Sequence, residues 1–387
     1  MHSCCIFKVH QCLAEINKKT YQPHIVSCGP YHHVDQHLKM ILQHKWKYLR
    51  GSSNGRRNKR VLFGDHQRHD LVEMMVLDGL FTIELFCKVG KLSPIDPDDP
   101  IFNLEWIFAN ILRDLFRFEN QIPFFLLQKL FDESKPSRGD SDSSLAKLAL
   151  EFFNCAVETP KQVLNQDFTT VEGKHLLDLL RWICQKASAR NKEGNAKVCS
   201  RKGNTSPSLE FIQSAKKLRQ AGIKFKTRKA VSFLDIRFCN GVLEIPHIVI
   251  DNLRTDLLMN FVAFEQCYFH CSKDVTSYAA FMSCLIRTPE DVSFLCDKKI
   301  VENYLGTDEK VVHFFKNLGK DVPFDIDDCY LSKSFKEVNK YHRNVWHVRW
   351  EGFRSKYFGT PWSFLSALAA VILLLLTAIQ TFFAVYK

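Results

Sequence analysis

The sequence lacks the patterns by which many soluble enzymes are identified. It contains no G-x-x-x-x-G-K phosphate loop, no G-x-G-x-x-G dinucleotide fingerprint and no G-x-S-x-G nucleophile elbow. The usual sequence indications of nucleotide binding and of α/β-hydrolase chemistry are therefore missing. No C-x-x-C pair occurs among the 14 cysteines, and no N-terminal apolar stretch resembles a signal peptide. We expect reduced thiols on the cytosolic side of a membrane.

What is present is an ordinary globular composition. The chain has 387 residues, of which 46% are hydrophobic, and its 32 Phe greatly outnumber its 10 Tyr. A chain of this length can bury a sizeable core in one large domain or two smaller ones. Packing of Leu and Phe should dominate that core.

The net charge of +11 is concentrated in two stretches. Residues 186–229 hold thirteen Lys or Arg against two acids, and residues 39–60 hold eight cations and no acid. These stretches are interpreted as solvated loops or as a docking surface for anionic lipid headgroups or an acidic partner. Nucleic-acid binding is the least favoured interpretation of these stretches.

A long uncharged stretch near the C-terminus, residues 364–385, predicts a transmembrane helix, which we bound at 362–386. At ~1.5 Å per residue it can cross a hydrocarbon core of ~30 Å. More basic residues precede it than follow it, so the positive-inside rule predicts a single-pass protein of the plasma membrane or an endomembrane with a cytosolic N-terminal domain. A glycosylated Asn204 would indicate the opposite topology. The residues assigned to the anchor are Pro361, Trp362, Phe364, Leu373, Leu376, Phe383 and Tyr386.

The segment before this span, residues 332–357, predicts an amphipathic juxtamembrane helix. Its aromatic stripe lies beside a basic stripe, an arrangement that suits the surface of an anionic leaflet. Packing of the apolar stripe against the domain's own core explains the pattern equally well. The candidate contacts to a membrane surface or a partner are Lys333, Lys336, Lys340, Arg343, Trp346, Trp350 and Arg354.

The remaining patterns predict a mainly α fold, a large multi-helix globular domain over residues 4–358 with one small β-hairpin. Helical segments are expected at 71–89, 103–131 with a break at Pro123, 145–157 and 173–186, and again from about Arg254. A basic loop is expected at about 186–208. The hairpin is predicted where "VSFLDIRF" and "VLEI" are joined through Asn240-Gly241.

An ordered series of segments resembles the plant proteins catalogued as domain of unknown function 247. They include "YQPHIVSCGPYHH", "ILRDLFRFENQIPFFLLQKLF" and "FLDIRFCNGVLEIPHIVID", and they run over nearly the whole chain. The resemblance implies a largely helical fold with a C-terminal membrane anchor and no established enzymatic activity. Some grass members look like pollen-side determinants of self-incompatibility, which would imply a recognition role. This chain departs from the family pattern at His10 and Val34, where relatives usually show Pro and Gly.

Histidines near the N-terminus raise the question of a metal site. On a helix, His33 and His37 would share one face, but His44 lies seven residues later, about 10 Å along the axis. Two ligands within reach do not make a catalytic zinc site, which needs three. We therefore expect Asp35 to cap a helix and the stretch to fix a turn.

Other candidate ligands and catalytic groups have equally ordinary explanations. Cys267, His270 and Cys271 would share a helix side, but no second ligand pair completes a structural zinc site. Three carboxylates lie within apolar stretches, where they could be catalytic or could be satisfied by helix ends or arginines. They are Asp78, Glu84 and Glu119, and the arginines considered are Arg113 and Arg117.

Together these observations predict a membrane-anchored, non-enzymatic protein-interaction or recognition module without cofactors. Its expected partners are the lipid bilayer and an unidentified protein. The alternative is a cryptic metal- or carboxylate-dependent enzyme at a membrane surface that uses His33, His37, Asp78 or Glu119.

Overall fold

Helices make up most of the computed structural model, which describes residues 6–51, 69–134, 144–154, 173–189, 211–320, 325–327, 329–343 and 361–385. The mainly α class predicted from the sequence is therefore confirmed. Short 3₁₀ helices at Lys18–Thr20 and Gln36–Ile41 punctuate the N-terminal region. In chain order the α-helices are α1 (Gln11–Asn17), α2 (Leu42–Gly51), α3 (His69–Val89), α4 (Pro100–Asn103), α5 (Glu105–Phe116), α6 (Phe124–Ser134), α7 (Leu145–Phe152), α8 (Leu176–Ala189), α9 (Ala215–Gln220), α10 (Asn252–Cys267), α11 (Asp274–Leu285), α12 (Pro289–Asp297), α13 (Asp308–Leu318), α14 (Ser332–Arg343) and α15 (Pro361–Val385).

Local sequence signals explain several helix boundaries. The Ser144 hydroxyl accepts a hydrogen bond from the Lys147 N–H and so caps α7. Thr288 and Asp291 form a capping box at the start of α12, with Pro289 at the first helical position. Helix α3 matches the predicted segment within two residues. The predicted segment at 103–131 forms two helices, α5 and α6, as the break at Pro123 indicated, and the connection between them extends over residues 117–123.

Two small sheets accompany the helices. Strands β1 (Lys224–Arg228), β2 (Arg237–Cys239) and β3 (Val242–Pro246) form one sheet in the order β1-β3-β2, and β4 (Ile248–Ile250) pairs in parallel with β5 (Val301–Asn303). Strands β2 and β3 are antiparallel and are joined by Asn240 and Gly241, both at positive φ. This is the predicted hairpin with its Asn-Gly turn. The parallel partner β1 and the second sheet were not predicted.

The hydrophobic core is mainly one large cluster that extends from Val9 to Val338, with a small second cluster formed by Leu49, Val76, Leu77 and Leu80. Phe rings contribute much of it, as the composition suggested: Phe86 and Phe152 have centroids 5.1 Å apart, and Phe152 and Phe153 are also 5.1 Å apart. Helix α10 runs through the interior, and its Phe264 ring meets His175 edge-on at 4.8 Å. Residues from both ends of the described domain therefore share one core.

The segment predicted as a juxtamembrane helix is described as far as Arg343, where it forms α14. In this part the structure shows whether the apolar stripe faces a membrane or the domain's own core. Phe335 and Val338 are fully buried, and the Phe335 ring packs edge-on against Phe281 with centroids 5.0 Å apart. The apolar stripe of this helix therefore faces the domain's own core rather than a bilayer. Its basic side chains are exposed, namely Lys333, Lys336, Lys340 and Arg343. Trp346, Trp350 and Arg354 lie outside the described residues.

The C-terminal stretch forms helix α15, which coincides with the predicted transmembrane segment. Judged on the described residues, no helix combines the length and the apolar character that a membrane crossing requires. Side chains of α15 are described at 365–366 and 368–382, and the latter run covers about 22 Å at ~1.5 Å per residue, against a hydrocarbon core of ~30 Å. The helix is thus present, whereas its assignment as a transmembrane span is not supported by these residues and stays a prediction.

Candidate functional site

The histidine segment, residues 24–33, is held by polar side chains from distant parts of the chain. Three carboxylates and one amide reach it from α3, from the last turn of α5 and from the loop that follows α5. Such side chains can satisfy backbone groups of an irregular segment that no helix or strand satisfies. The four residues are Asp78, Asp114, Glu119 and Asn120.

Asp114, in the last turn of α5, binds the beginning of this segment. Its carboxylate accepts hydrogen bonds from the backbone N–H groups of His24 (2.8 Å), Ile25 (2.8 Å) and Val26 (3.0 Å). It also receives the Arg117 guanidinium, with Nε 3.1 Å from Oδ1. Arg117 in turn donates to the Lys19 carbonyl. Both charged groups are completely buried, and each is satisfied by the other and by backbone.

Asn120 and Asp78 bind the middle of the segment. The Cys28 N–H donates to Asn120 Oδ1 (2.6 Å), and the Asn120 amide donates to the Val26 carbonyl (3.0 Å). Asp78 Oδ2 accepts from the Gly29 N–H (3.0 Å), while its Oδ1 lies 2.5 Å from Lys45 Nζ. Burial raises the pKa of Asp78, and Lys45 and the Gly29 N–H act in the opposite direction. The carboxylate therefore works as a backbone anchor with its counter-ion in place.

Gly29 cannot be replaced without moving the loop after α5. Its φ is +92°, a conformation that L side chains rarely adopt. A Cβ added there would lie 2.3 Å from the Gln121 carbonyl oxygen, which is backbone and cannot rotate away. The close approach of the two backbones therefore requires glycine at the Gly29-Pro30 turn.

Glu119 binds His32 near the end of the histidine segment. Glu119 Oε1 accepts from the Val9 N–H (3.0 Å), and its Oε2 lies 3.1 Å from His32 Nε2. The other ring nitrogen of His32 lies 3.0 Å from Asp35 Oδ2, so an imidazolium can donate to a carboxylate from each side. Burial lowers the pKa of His32, but these hydrogen bonds outweigh it, and the net pKa is raised.

The histidines considered for metal binding do not converge. His33 is exposed in the turn and its Nδ1 lies 3.0 Å from the Pro30 carbonyl, while His37 is exposed on a 3₁₀ helix. The shared α-helical face on which the zinc argument depended is therefore not formed. Asp35 stands at the predicted N-cap position, yet its carboxylate binds His32 instead of the helix N–H groups. Within the described ranges, no three His, Cys, Asp or Glu side chains are grouped so as to hold a metal.

The cysteine candidates are also separated. Helix α10 ends at Cys267, so His270 and Cys271 do not lie on its face. The Cys271 thiol donates to the Tyr268 carbonyl (3.1 Å), and burial raises its pKa to about 11. A thiol with this pKa is protonated near neutral pH and can donate this hydrogen bond.

A second buried cluster was missed entirely by sequence reasoning. Asp99 Oδ2 accepts hydrogen bonds from Lys88 Nζ (2.8 Å) and from the Tyr48 hydroxyl (2.5 Å), and Lys88 Nζ lies 4.0 Å from the Tyr48 ring centroid. Burial raises the pKa of nearby Glu84, while Lys88 lowers it. This cluster joins α2, α3 and the start of α4, and its charges are paired within the core.

The described residues also include a cleft of about 270 Å³ between α11 and the end of α13. Its polar groups are engaged, since Ser283 Oγ donates to the Ala280 carbonyl and the Arg287 guanidinium donates to the carbonyls of Cys284 and Ile212. None of the site residues predicted from the sequence lines it. Its lining residues are Phe211, Thr276, Ala280, Ser283, Cys284, Arg287 and Gly319.

The sequence analysis singled out Asp78 and Glu119 as carboxylates within apolar stretches, and both bind the histidine segment. It did not identify the groups that these two carboxylates contact. Arg113 and Arg117, which were considered as partners, instead contact Asp256 and Asp114. One signal was available in the run "RDLFRFENQ", because so many polar residues inside an apolar stretch need buried partners. The partners themselves come from the N-terminal region, and their positions depend on the tertiary fold.

Comparison with known proteins places the chain among plant proteins of unknown function. A family profile described as plant protein of unknown function, DUF247, matches residues 6–376. The chain is 36% identical over 416 residues to UPF0481 protein At3g47200 of Arabidopsis thaliana, which covers 99% of this chain and 86% of that protein. It is 23% identical over 492 residues to Putative UPF0481 protein At3g02645 of the same plant, covering 99% of this chain and 90% of the relative. No solved structure matches it significantly.

Proposed function

Because this chain belongs to the DUF247 family of plant proteins of unknown function, we propose that it is a non-enzymatic interaction module held at a membrane surface by α15. Its helical domain binds another protein, and a recognition role of the self-incompatibility type is one form this binding can take. The anchor confines the domain to two dimensions and raises its effective concentration near membrane-bound partners. No nucleic acid is involved in this proposal.

The observation that carries the non-enzymatic part is the use of the buried acids and histidine as backbone anchors. Asp114 alone accepts three backbone N–H groups, and Asp78 and Glu119 each accept one. A catalytic carboxylate needs an open side toward a substrate. Backbone N–H groups of the histidine segment, the Val9 N–H and the neighbouring cations occupy the oxygens of these carboxylates, which favours a structural role and weakens the enzyme alternative.

The exposure of α15 supports the membrane part. Its described large hydrophobic side chains between 365 and 382 are 46–71% exposed, in contrast to the apolar residues of the core. A continuous exposed apolar surface indicates a membrane or protein contact. Thr377 and Thr381 return their hydroxyls to carbonyls four residues earlier, as hydroxyl side chains do where water is scarce.

The first experiment is proximity labelling from an N-terminal fusion in intact plant cells, with protease protection of isolated membranes. We expect a membrane-fraction protein whose N-terminal domain is digested, and a reproducible set of labelled neighbours. The matched variant, Leu373→Arg with Leu376→Arg, should leave the membrane fraction, because each Arg near a helix centre costs about 2.5–3.5 kcal/mol on insertion. Thr307→Arg with Lys310→Ala, on the exposed start of α13, serves as the control.

Two outcomes would contradict the proposal. If the wild-type protein remained in the soluble fraction, α15 would not be a membrane anchor. A protected domain glycosylated at Asn204 would reverse the topology and make the recognition extracellular. The enzyme alternative is tested separately, since stoichiometric metal in the purified protein, lost in His33→Ala with His37→Ala, would favour it.

A further inference from the structure

Strand β1 lies at an edge of its sheet with one side unpaired in the described part of the chain. The Lys224 N–H donates to the Gly241 carbonyl beside β3, and β1 then pairs in parallel with β3 through Arg228. Backbone groups alternate in direction along a strand, so those of Lys224, Lys226 and Arg228 face β3. Those of Phe225 and Thr227 therefore face outward and present two N–H donors and two carbonyl acceptors.

Cations flank this unpaired edge above and below. Lys224 and Lys226 are exposed on one face of the sheet. On the other face Phe225 packs against Phe294 of α12, with ring centroids 5.2 Å apart. The Arg219 guanidinium lies 4.9 Å from the same Phe294 ring and Lys298 Nζ lies 6.0 Å from it. We call Arg219, Lys224, Lys226 and Lys298 together with β1 the cationic edge.

The cations of the cationic edge form no ion pair within the described part of the chain, although Glu244 of β3 lies directly opposite Lys226 in the register. None of its four cations lies within ion-pair distance of a described carboxylate, whereas the next cation, Arg228, pairs with Asp235 and Glu244, each at 3.0 Å. Lys298 is also held close to the strand, because its carbonyl accepts a hydrogen bond from the Thr227 hydroxyl (2.5 Å). The edge thus combines fixed backbone donors and acceptors with unpaired positive charge on both sides.

We propose that the cationic edge binds an extended acidic segment of a partner protein, which adds to the sheet as a fourth strand beside β1. Side chains of an added strand point alternately to the two faces, so acidic residues would meet Lys224 and Lys226 on one face and Arg219 and Lys298 on the other. This inference rests on the proposed function as an interaction module and specifies the chemistry of its partner.

Other occupants fit the edge less well. Phosphate groups of a bilayer accept hydrogen bonds but cannot donate to the outward carbonyls of Phe225 and Thr227, whereas a polypeptide strand satisfies both kinds of group. A second copy of β1 would bring Lys224 and Lys226 opposite like charges, which is the known means by which edge lysines prevent self-pairing. The same lysines favour an acidic strand.

The test is a titration of the full chain, in mild detergent, with a fluorescent peptide of alternating Glu and Val, followed by anisotropy. A peptide of alternating Lys and Val and an N-methylated copy of the acidic peptide are the ligand controls. We expect Lys224→Glu with Lys226→Glu to weaken binding at least about tenfold, and Lys129→Glu, an exposed cation on α6, to leave it unchanged.

The backbone contribution is tested by a matched pair at one position. Thr227→Val removes the hydroxyl and keeps the outward N–H, whereas Thr227→Pro also removes the N–H, a change that edge strands tolerate. Strand addition predicts that Thr227→Pro binds the acidic peptide at least about tenfold more weakly than Thr227→Val, with equal thermal stability as the folding check.

Equal binding by both Thr227 variants, or equal binding of the N-methylated peptide, would overturn the strand-addition proposal. So would vesicles containing phosphatidylserine that compete with the peptide and bind both variants alike, which would assign the edge to the bilayer. The proposed function is distinguished by proximity labelling of Thr227→Pro. An unchanged set of labelled neighbours would refute the edge alone, whereas no reproducible set for the wild type would refute the interaction module.

Discussion

His32 Nε2 lies 3.1 Å from Glu119 Oε2, although the two residues are separated by 87 positions in the chain. The same imidazole meets Asp35 through its other nitrogen. Both contacts strengthen when the ring is protonated, so this histidine joins the histidine segment to the loop after α5 in a manner that depends on pH.

Stability should therefore decrease as the pH rises through the raised folded pKa of His32. A histidine whose folded pKa is above its unfolded value of about 6.5 contributes fully below that value and loses the contribution above the folded pKa. In urea unfolding, His32→Gln should cost about 1–3 kcal/mol at about pH 5.5 and less at about pH 8.5. A cost independent of pH would contradict this assignment, and His37→Gln, which is exposed, is the control.

Asp114→Asn should be among the most destabilising substitutions of equal size. It leaves the buried Arg117 without its carboxylate and weakens three backbone hydrogen bonds to the histidine segment. Breaking a buried pair in this way costs about 3–5 kcal/mol. The measurement is the free energy of unfolding in urea, with Asp98→Asn on the exposed turn before α4 as the control. An equal loss of unfolding free energy in the two variants would contradict the prediction.

Lys45 and Asp78 should show strong coupling in a double-mutant cycle. Lys45→Met and Asp78→Leu each leave one buried charge uncompensated, and each should cost about 3–5 kcal/mol. The double variant should be more stable than the sum of the single costs implies, by about 1–3 kcal/mol. If the costs of the two single substitutions simply added up in the double variant, the interaction between Lys45 and Asp78 would contribute nothing to stability.

Gly241→Ala should destabilise the hairpin more than Gly306→Ala does. Both glycines have positive φ, but a Cβ at Gly241 would lie 2.7 Å from the Tyr341 ring of α14, whereas at Gly306 the nearest atom, Lys310 Nζ, is 4.0 Å away. Strain from φ alone costs about 1–2 kcal/mol at either site. The extra cost at Gly241 should shrink in a Tyr341→Ala background, and its persistence there would rule out the steric explanation.

Among the described cysteines, the exposed ones should be alkylated faster than the buried ones. Cys12 and Cys239 are exposed, whereas burial raises the pKa of both Cys28 and Cys184 to about 12. Because the thiolate is the nucleophile, iodoacetamide at about pH 8 should modify the exposed pair first and the buried pair only on unfolding. Mass spectrometry of timed samples measures this, and early modification of Cys28 would contradict the buried position of the histidine segment.

The sequence predicted features that depend on local patterns. Helix α3 follows from a long apolar stretch, and the β2–β3 hairpin follows from Asn240-Gly241 between alternating residues. Strand β1 was missed because "KFKTR" contains only one apolar residue, and its parallel partner β3 lies beyond β2 in the chain. His32 was passed over in favour of His33 and His37, because its carboxylate Glu119 becomes a neighbour only in the folded chain.

The anchoring of the N-terminal region has a consequence for the order of events during synthesis. Asn260 in α10 donates to the Thr20 carbonyl and accepts from the Phe118 N–H, so it joins the first residues to the second half of the domain. At about 5–20 residues per second, a ribosome needs roughly 12–50 s to proceed from residue 20 to residue 260. During that interval the Thr20 carbonyl lacks its partner in α10, although Asp78, Asp114 and Glu119, which bind other N-terminal residues, have already been synthesised. The first residues can therefore meet their partners in the first half of the domain early in synthesis, but they complete their docking only when α10 has emerged.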